Sequence, residues 1–180
     1  LKSARQPLQN FLPETHYEER PVGESVQSII LHSMHNPQCT EDPYSLQSCK
    51  DCLEKLELSV HYLIGLDGEI WSLVPEHLKA WHAGESVLPH DGKTGVNAFS
   101  IGIELVGSET TSPTEEQYTS LVSLCVEIIN RHPITSIYGH RHIAPTRKTD
   151  PWNFDWELLS HSLREIIPTH NLILPEACHP

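Results

Sequence analysis

The stretch Ile137-Tyr138-Gly139-His140-Arg141-His142-Ile143-Ala144-Pro145-Thr146-Arg147-Lys148-Thr149-Asp150-Pro151-Trp152-Asn153-Phe154-Asp155-Trp156 gathers more chemically capable side chains than any other part of the chain. Ile137 and Tyr138 read as the end of a short strand, and Gly139 lets the backbone turn so that His140 projects from the strand's edge. Pro145 and Pro151 stiffen the loop beyond His140, and a proline at 151 biases Asp150 toward extended backbone. His140 and Asp150 are too far apart to share a helix face, where partners sit three or four residues apart. A loop folding back over the strand end brings them together. Two readings fit: a metal site completed by one more nitrogen ligand, with Lys148 beside it as a cation, or a surface loop of solvated charges.

Upstream, Ser28-Ile29-Ile30-Leu31-His32 is apolar enough for a buried strand and also ends on a histidine. A second strand-end histidine strengthens the metal reading, with His35 as a rival for His32. Leu46, Cys49, Leu53 and Leu56 recur at helical spacing, which predicts a helix over residues 43–57 with Asp42 as cap and Pro43 in its first turn. Residues 60–64 and 69–73 read as a hairpin turning through Asp67-Gly68, and residues 75–99 as a long loop carrying Trp81, His82 and His90. Ser100 to Val106 alternates, with Ile101, Ile103 and Leu105 on one face and Gly102, Glu104 and Val106 on the other. Gly102 would leave open space beside Glu104 for a substrate to approach the backbone. Ser112-Pro113-Thr114-Glu115 reads as a capping box opening a helix over residues 113–131, and Trp156, Leu159, Leu163, Ile166 and Ile167 mark a last helix. Mixed strands and helices of these lengths predict an α/β (mixed α+β) domain, a central mixed β-sheet flanked by helices. Residues 1–25 read as an extended lead-in, 26–170 as the catalytic domain and 171–180 as an irregular tail.

A chain of 180 residues suits one domain, here expected to act as a monomer. Its net charge of −12 argues against nucleic-acid phosphate or an anionic membrane surface as partner. No apolar run reaches the roughly 18 residues of a transmembrane segment. The five cysteines include Cys39, Cys49 and Cys52 in one short region. On one helix, Cys49 and Cys52 would stand about 5–6 Å apart at Cβ, wider than a disulfide needs. A bridge from Cys39 to either one fits better, and Cys125 reads as a buried thiol on a helix stripe.

The string Gly139-His140, Ile143-Ala144-Pro145, Arg147-Lys148-Thr149-Asp150-Pro151 and Phe154-Asp155-Trp156 resembles the C-terminal signature of zinc-dependent N-acetylmuramoyl-L-alanine amidases of the amidase-2 type, which share the peptidoglycan recognition protein fold. Ile29-Ile30-Leu31-His32, Ser59-Val60-His61-Tyr62, Trp81-His82-Ala83-Gly84 and Ser100-Ile101-Gly102-Ile103-Glu104-Leu105 agree in order. The resemblance implies a bacterial hydrolase that holds Zn2+ on His32, His140 and Asp150. Glu104 and Lys148 would be catalytic, and Trp81, His82 and Arg147 substrate-side. The bond cut would join N-acetylmuramic acid to L-alanine in peptidoglycan or a muropeptide. Three protein ligands with one position left open is the catalytic zinc pattern.

Cytosolic recycling members tend to carry asparagine where this chain has Ser33, which favours intact or polymeric peptidoglycan over anhydromuramyl fragments. The cysteine-bearing insert between His35 and Ser59 resembles the disulfide segment of recognition proteins and favours a periplasmic or cell-envelope location, with cytoplasmic as the alternative. Two rival functions remain. One is a non-catalytic peptidoglycan-binding receptor of the same fold, in which a zinc ligand is usually replaced. The other is a cysteine hydrolase, for which no thiol sits in a nucleophile context.

Overall fold

Residues 5–176 are described by the computed structural model. The strands are β1 (Leu8–Gln9), β2 (Tyr17–Glu19), β3 (Ser28–Met34), β4 (Tyr62–Ile64), β5 (Ile70–Ser72), β6 (Leu78–Ala80), β7 (Ser100–Val106) and β8 (Ser136–Gly139). The helices are α1 (Leu46–Lys55), α2 (Glu115–Arg131), the one-turn α3 (His140–Ile143) and α4 (Trp156–Ile166). Six strands form one mixed sheet in the order β1-β5-β4-β7-β3-β8, and β2 pairs with β6 apart from it. This is the mixed α/β architecture that the patterning predicts.

The strand β3 is buried over six of its seven residues and lies between β7 and β8, parallel to both. Side chains alternate across a sheet, so one register sorts them all. Ile29, Leu31, Ile101, Ile103, Leu105 and Ile137 pack with Leu121, Leu124, Cys125 and Ile128 of α2 and Leu159 and Leu163 of α4. On the opposite face, α1 covers Leu63 and Val106 with Cys49 and Leu53. Ile30 and Tyr138 lie beneath Ala83, Leu88, Val96 and Phe99. His32 and Glu104 are register partners, so both emerge on this second face, between those two coverings.

Two helix starts differ from the sequence pattern. The cap of α1 is Ser45, whose hydroxyl accepts from Ser48 N–H at 3.1 Å, rather than Asp42. The capping box of α2 is Thr114 with Gln117 rather than Ser112 with Glu115. Both pairs satisfy the S/T-x-x-E/Q pattern, and burial chooses between them. Gln117 is fully buried, and its amide also donates to the carbonyls of Ile64 and Val106 at 3.1 and 2.9 Å, which a glutamate cannot do.

The segment read as an extended lead-in is joined to the domain. Leu8 and Gln9 pair with β5, and residues 17–19 with β6. Beyond them the Arg20 guanidinium donates to the carbonyls of Glu76, Asn97, Ala98 and Ser100 at 2.9–3.2 Å. The region between 75 and 99, read as loop throughout, contributes β6 and a 3-10 turn at Val96–Phe99. At the far end, Ile173 bridges to Ser136, and residues 177–180, including Cys178, lie outside the described residues.

One partly buried carboxylate ties these parts together. Glu76 receives Tyr62 Oη at 2.6 Å, Arg131 Nη2 at 2.6 Å and His132 Nε2 at 2.6 Å. Burial alone would push its pKa up, but these hydrogen bonds outweigh that and bring it down from 4.5 to about 2. Because the folded value lies below the unfolded one, the stabilisation is complete above pH 4.5 and lost as pH falls toward 2. Glu76→Gln is therefore expected to lower the thermal midpoint at neutral pH and to flatten its decline across that acid range. Parallel midpoint-against-pH curves for wild type and variant would contradict this.

Candidate active site

Each site residue is delivered by a separate constraint. His32 sits on β3 next to Glu104 on β7, and His140 opens α3 directly after β8. Asp150 returns to them because its carbonyl accepts the Arg141 N–H at 2.7 Å, while Trp152 N–H is anchored on Ser33 Oγ at 3.2 Å. Ser33, the position where the chain departs from the recycling pattern, thus holds the loop that carries Asp150.

The result is a triangle of donor atoms. His32 Nδ1 and His140 Nδ1 are 3.0 Å apart, and Asp150 Oδ2 is 3.4 Å from each. All three residues are buried. A tetrahedral ion with ligands at about 2.0–2.1 Å needs donor atoms roughly 3.3 Å from one another. The triangle therefore has the size and the two-nitrogen, one-carboxylate chemistry of a zinc site, and it is the metal-competent group found among the described residues. His35, the rival ligand, instead stacks on Tyr44 at 5.4 Å.

Electrostatics favour the protonation states that such ligands need. Burial takes the His32 pKa down to about 4, so its imidazole is neutral at pH 7. Burial would raise Asp150, yet hydrogen bonds from His140 and His32 hold its carboxyl well below the aspartate range. Glu104 moves the other way: burial pushes its pKa well above the glutamate range, Asp150 adds to this, and Lys148 opposes it. Its Oε2 is buried with no hydrogen-bond partner. An unsatisfied buried carboxylate oxygen costs stability, and His35 Nδ1 is the other buried side-chain atom without a partner among the described residues. Lys148 is exposed, and its charge acts on both His32 and Glu104.

These groups open into a cavity of about 710 Å³ between α1 and the loop from 147 to 152, lined also by Trp81 and His82. Trp81 is tied to β2, its indole Nε1–H donating to Glu18 at 3.1 Å. Arg147 donates to the carbonyls of Ala83 and Glu85. The space above Gly102 is not open to a substrate: a Cβ there would lie 2.6 Å from the His82 ring, which fills it. Asn97, whose Oδ1 accepts from His82 and Ala83 N–H at 3.1 and 2.8 Å, and Arg20 also support this wall of the site. Neither carries a local pattern that would have singled it out.

The predicted disulfide is corrected. Cys39, Cys49, Cys52 and Cys125 are all free. Cys49 is buried in the α1 core and its thiol is pushed up to about 12, chiefly by burial, so it packs as a small apolar group.

The profile of the N-acetylmuramoyl-L-alanine amidase family matches residues 22–153. The chain belongs to this family, and it is an amidase. Among individual relatives, the 1,6-anhydro-N-acetylmuramyl-L-alanine amidase AmpD of Citrobacter freundii is 37% identical over 161 residues, covering 81% of this chain and 84% of that one. The N-acetylmuramoyl-L-alanine amidase AmiD of Escherichia coli is 38% identical over 123 residues, covering 58% and 44%. The crystal structure of a selenomethionine AmpD derivative superposes with a TM-score of 0.71 at 34% identity, over 91% of this chain and 96% of that one. A peptidoglycan recognition protein from Alvinella pompejana, 14% identical with a TM-score of 0.57 over 78% of this chain and 89% of that one, shares the fold.

The cell-envelope expectation is corrected as well. Its support was the disulfide segment, and those thiols are unpaired. The AmpD relatives are named 1,6-anhydro-N-acetylmuramyl-L-alanine amidases, the fragment-cleaving type from which the Ser33 reading set this chain apart. Titration of the denatured, unreduced protein is expected to find Cys39, Cys49, Cys52 and Cys125 all reactive, with peptide mapping as the check. A bridge between any two of them would restore the oxidising-compartment argument.

Proposed function

We propose that the chain uses one zinc ion, held by His32, His140 and Asp150, to hydrolyse the amide between N-acetylmuramic acid and L-alanine in 1,6-anhydro muropeptides. The observation that carries the metal reading is the triangle of donor atoms at 3.0 and 3.4 Å beside a carboxylate oxygen left without a partner. The AmpD relatives, named for the anhydro substrate and similar to this chain over most of its length, support the fragment over the polymer. The Ser33 argument for polymeric substrate loses force, since that hydroxyl is occupied by Trp152 N–H.

Zinc in such a site lowers the pKa of water to about 7 and polarises a carbonyl. The chain's own groups do the rest. Glu104, buried and with an elevated pKa, takes the proton of the attacking water and returns it to the leaving amine. Lys148 offers its ammonium to the oxyanion of the tetrahedral intermediate. The receptor alternative is disfavoured because all three ligand positions are filled by competent donors.

Zinc analysis of the purified protein is expected to find about one ion per chain, and chelation to abolish activity until zinc is returned. Asp150→Ala should lose both metal and activity. Glu104→Ala should keep the metal while turnover falls by roughly 10²–10⁴-fold, and Lys148→Ala should lower kcat more than it weakens binding. If Glu104→Ala loses zinc while Asp150→Ala keeps metal and turnover, the two carboxylates are assigned the wrong way round. Faster release of L-alanine-linked peptide from polymer than from an anhydro muropeptide would reverse the substrate choice.

A further inference from the structure

His82 lies where substrate contact was expected, yet its two ring nitrogens are turned into the protein. Nδ1 faces His32 Nε2 at 2.9 Å, and Nε2 faces Ser100 Oγ at 3.1 Å. The rings of His32 and His82 meet edge to face, with centroids 5.1 Å apart. A neutral imidazole carries one proton. If His32 Nδ1 is to offer its lone pair to a cation, that proton must reside on Nε2.

We propose that His82 is a positioning residue of the metal centre: its Nδ1 receives the Nε2 proton of His32, so that His32 Nδ1 is presented as a ligand. His82 then carries its own proton on Nε2 and donates it to Ser100 Oγ. A hydroxyl can donate or accept, so the row Ser100-His82-His32 is satisfied with its protons set either way. A cation at His32 Nδ1 leaves only one of the two settings.

Three further features are built for this contact. Gly102 has no side chain because a Cβ would fall 2.6 Å from His82 Cγ; the glycine admits the imidazole onto the sheet. The His82 and Ala83 amides are both held by Asn97 Oδ1, which fixes the backbone from which the ring hangs. The next residue serves the second ligand, for His140 Nε2 donates to Ala83 O at 3.1 Å. That same carbonyl receives Arg147 Nη2 at 3.1 Å. One short segment therefore supplies the outer partner of both histidines, the arrangement that orients ligand rings in metal sites.

The inference rests on the zinc reading of the triangle, and the test separates the two. Zinc dissociation constants are measured on the full chain by competition with a chromophoric chelator, alongside the thermal midpoint of the metal-free protein. His82→Leu fills the space without an acceptor and is expected to weaken zinc binding by about 10–100-fold. His82→Asn puts an Oδ1 acceptor near the position of Nδ1 and is expected to recover most of that loss. Zinc binding by His82→Leu as tight as wild type overturns the inference, as does equal weakening in both variants. Should neither variant fold, Ser100→Ala decides: losing the acceptor that fixes the His82 tautomer should weaken zinc by about 3–10-fold, the worth of one hydrogen bond, and unchanged affinity overturns the proposal. A wild-type protein that binds no zinc would instead sink the metal centre itself.

Discussion

The parallel pairing of β3 with β7 on one side and β8 on the other is the constraint on which the rest depends. It sets Ile29 beside Ile101 and Ile137, and by the same register it sets His32 beside Glu104. The apolar positions bury one face under α2 and α4, and the period of two carries the chemical positions to the other. A slip of one residue in β3 would turn His32 into the core and bring Leu31 to its place beside the cavity. Core packing and active-site geometry are thus enforced by one set of backbone hydrogen bonds. The site lies toward the carboxyl ends of parallel strands, where open sheets of this kind leave room for ligands.

Around this frame, polar groups that are buried or partly buried make several hydrogen bonds each. Arg20 closes four carbonyls, Gln117 caps two strands and a helix, and Glu76 collects a tyrosine, an arginine and a histidine. Against that background the Oε2 of Glu104 and the Nδ1 of His35 stand out as buried atoms without a partner among the described residues. Of the two, Glu104 is the one that sits beside His32 in the sheet register. The stability it forgoes fits a site in which function outweighs local satisfaction.

Much of this was legible along the chain. The alternation from Ser100 to Val106 revealed the strand and both of its faces, and the helical spacings located α1, α2 and α4 to within a few residues. Starts were less secure, because S-x-x-E and T-x-x-Q overlap at residues 112–117 and only the burial of Gln117 distinguishes them. The lead-in and the region from 75 to 99 carried no period, since strands of two or three residues are too short to express one. Their order comes from partners distant in sequence, such as Arg20 with Ser100. The thiols were misjudged for a similar reason: spacing restricts which cysteines can meet, but says nothing of whether a core encloses one of them alone.

By itself, the sequence determined the kinds of donor available and the strands that end on them, because residue type and period are local properties. His32, His140 and Asp150 could be named as candidate metal ligands through the family signature that surrounds them. Only the tertiary structure decided that their nitrogen and oxygen atoms converge within 3.4 Å. It alone also showed that His82 turns inward over Gly102 to meet His32. Such contacts join segments separated by fifty residues or more, and their geometry is fixed by sheet register and buried hydrogen bonds, which no local pattern encodes.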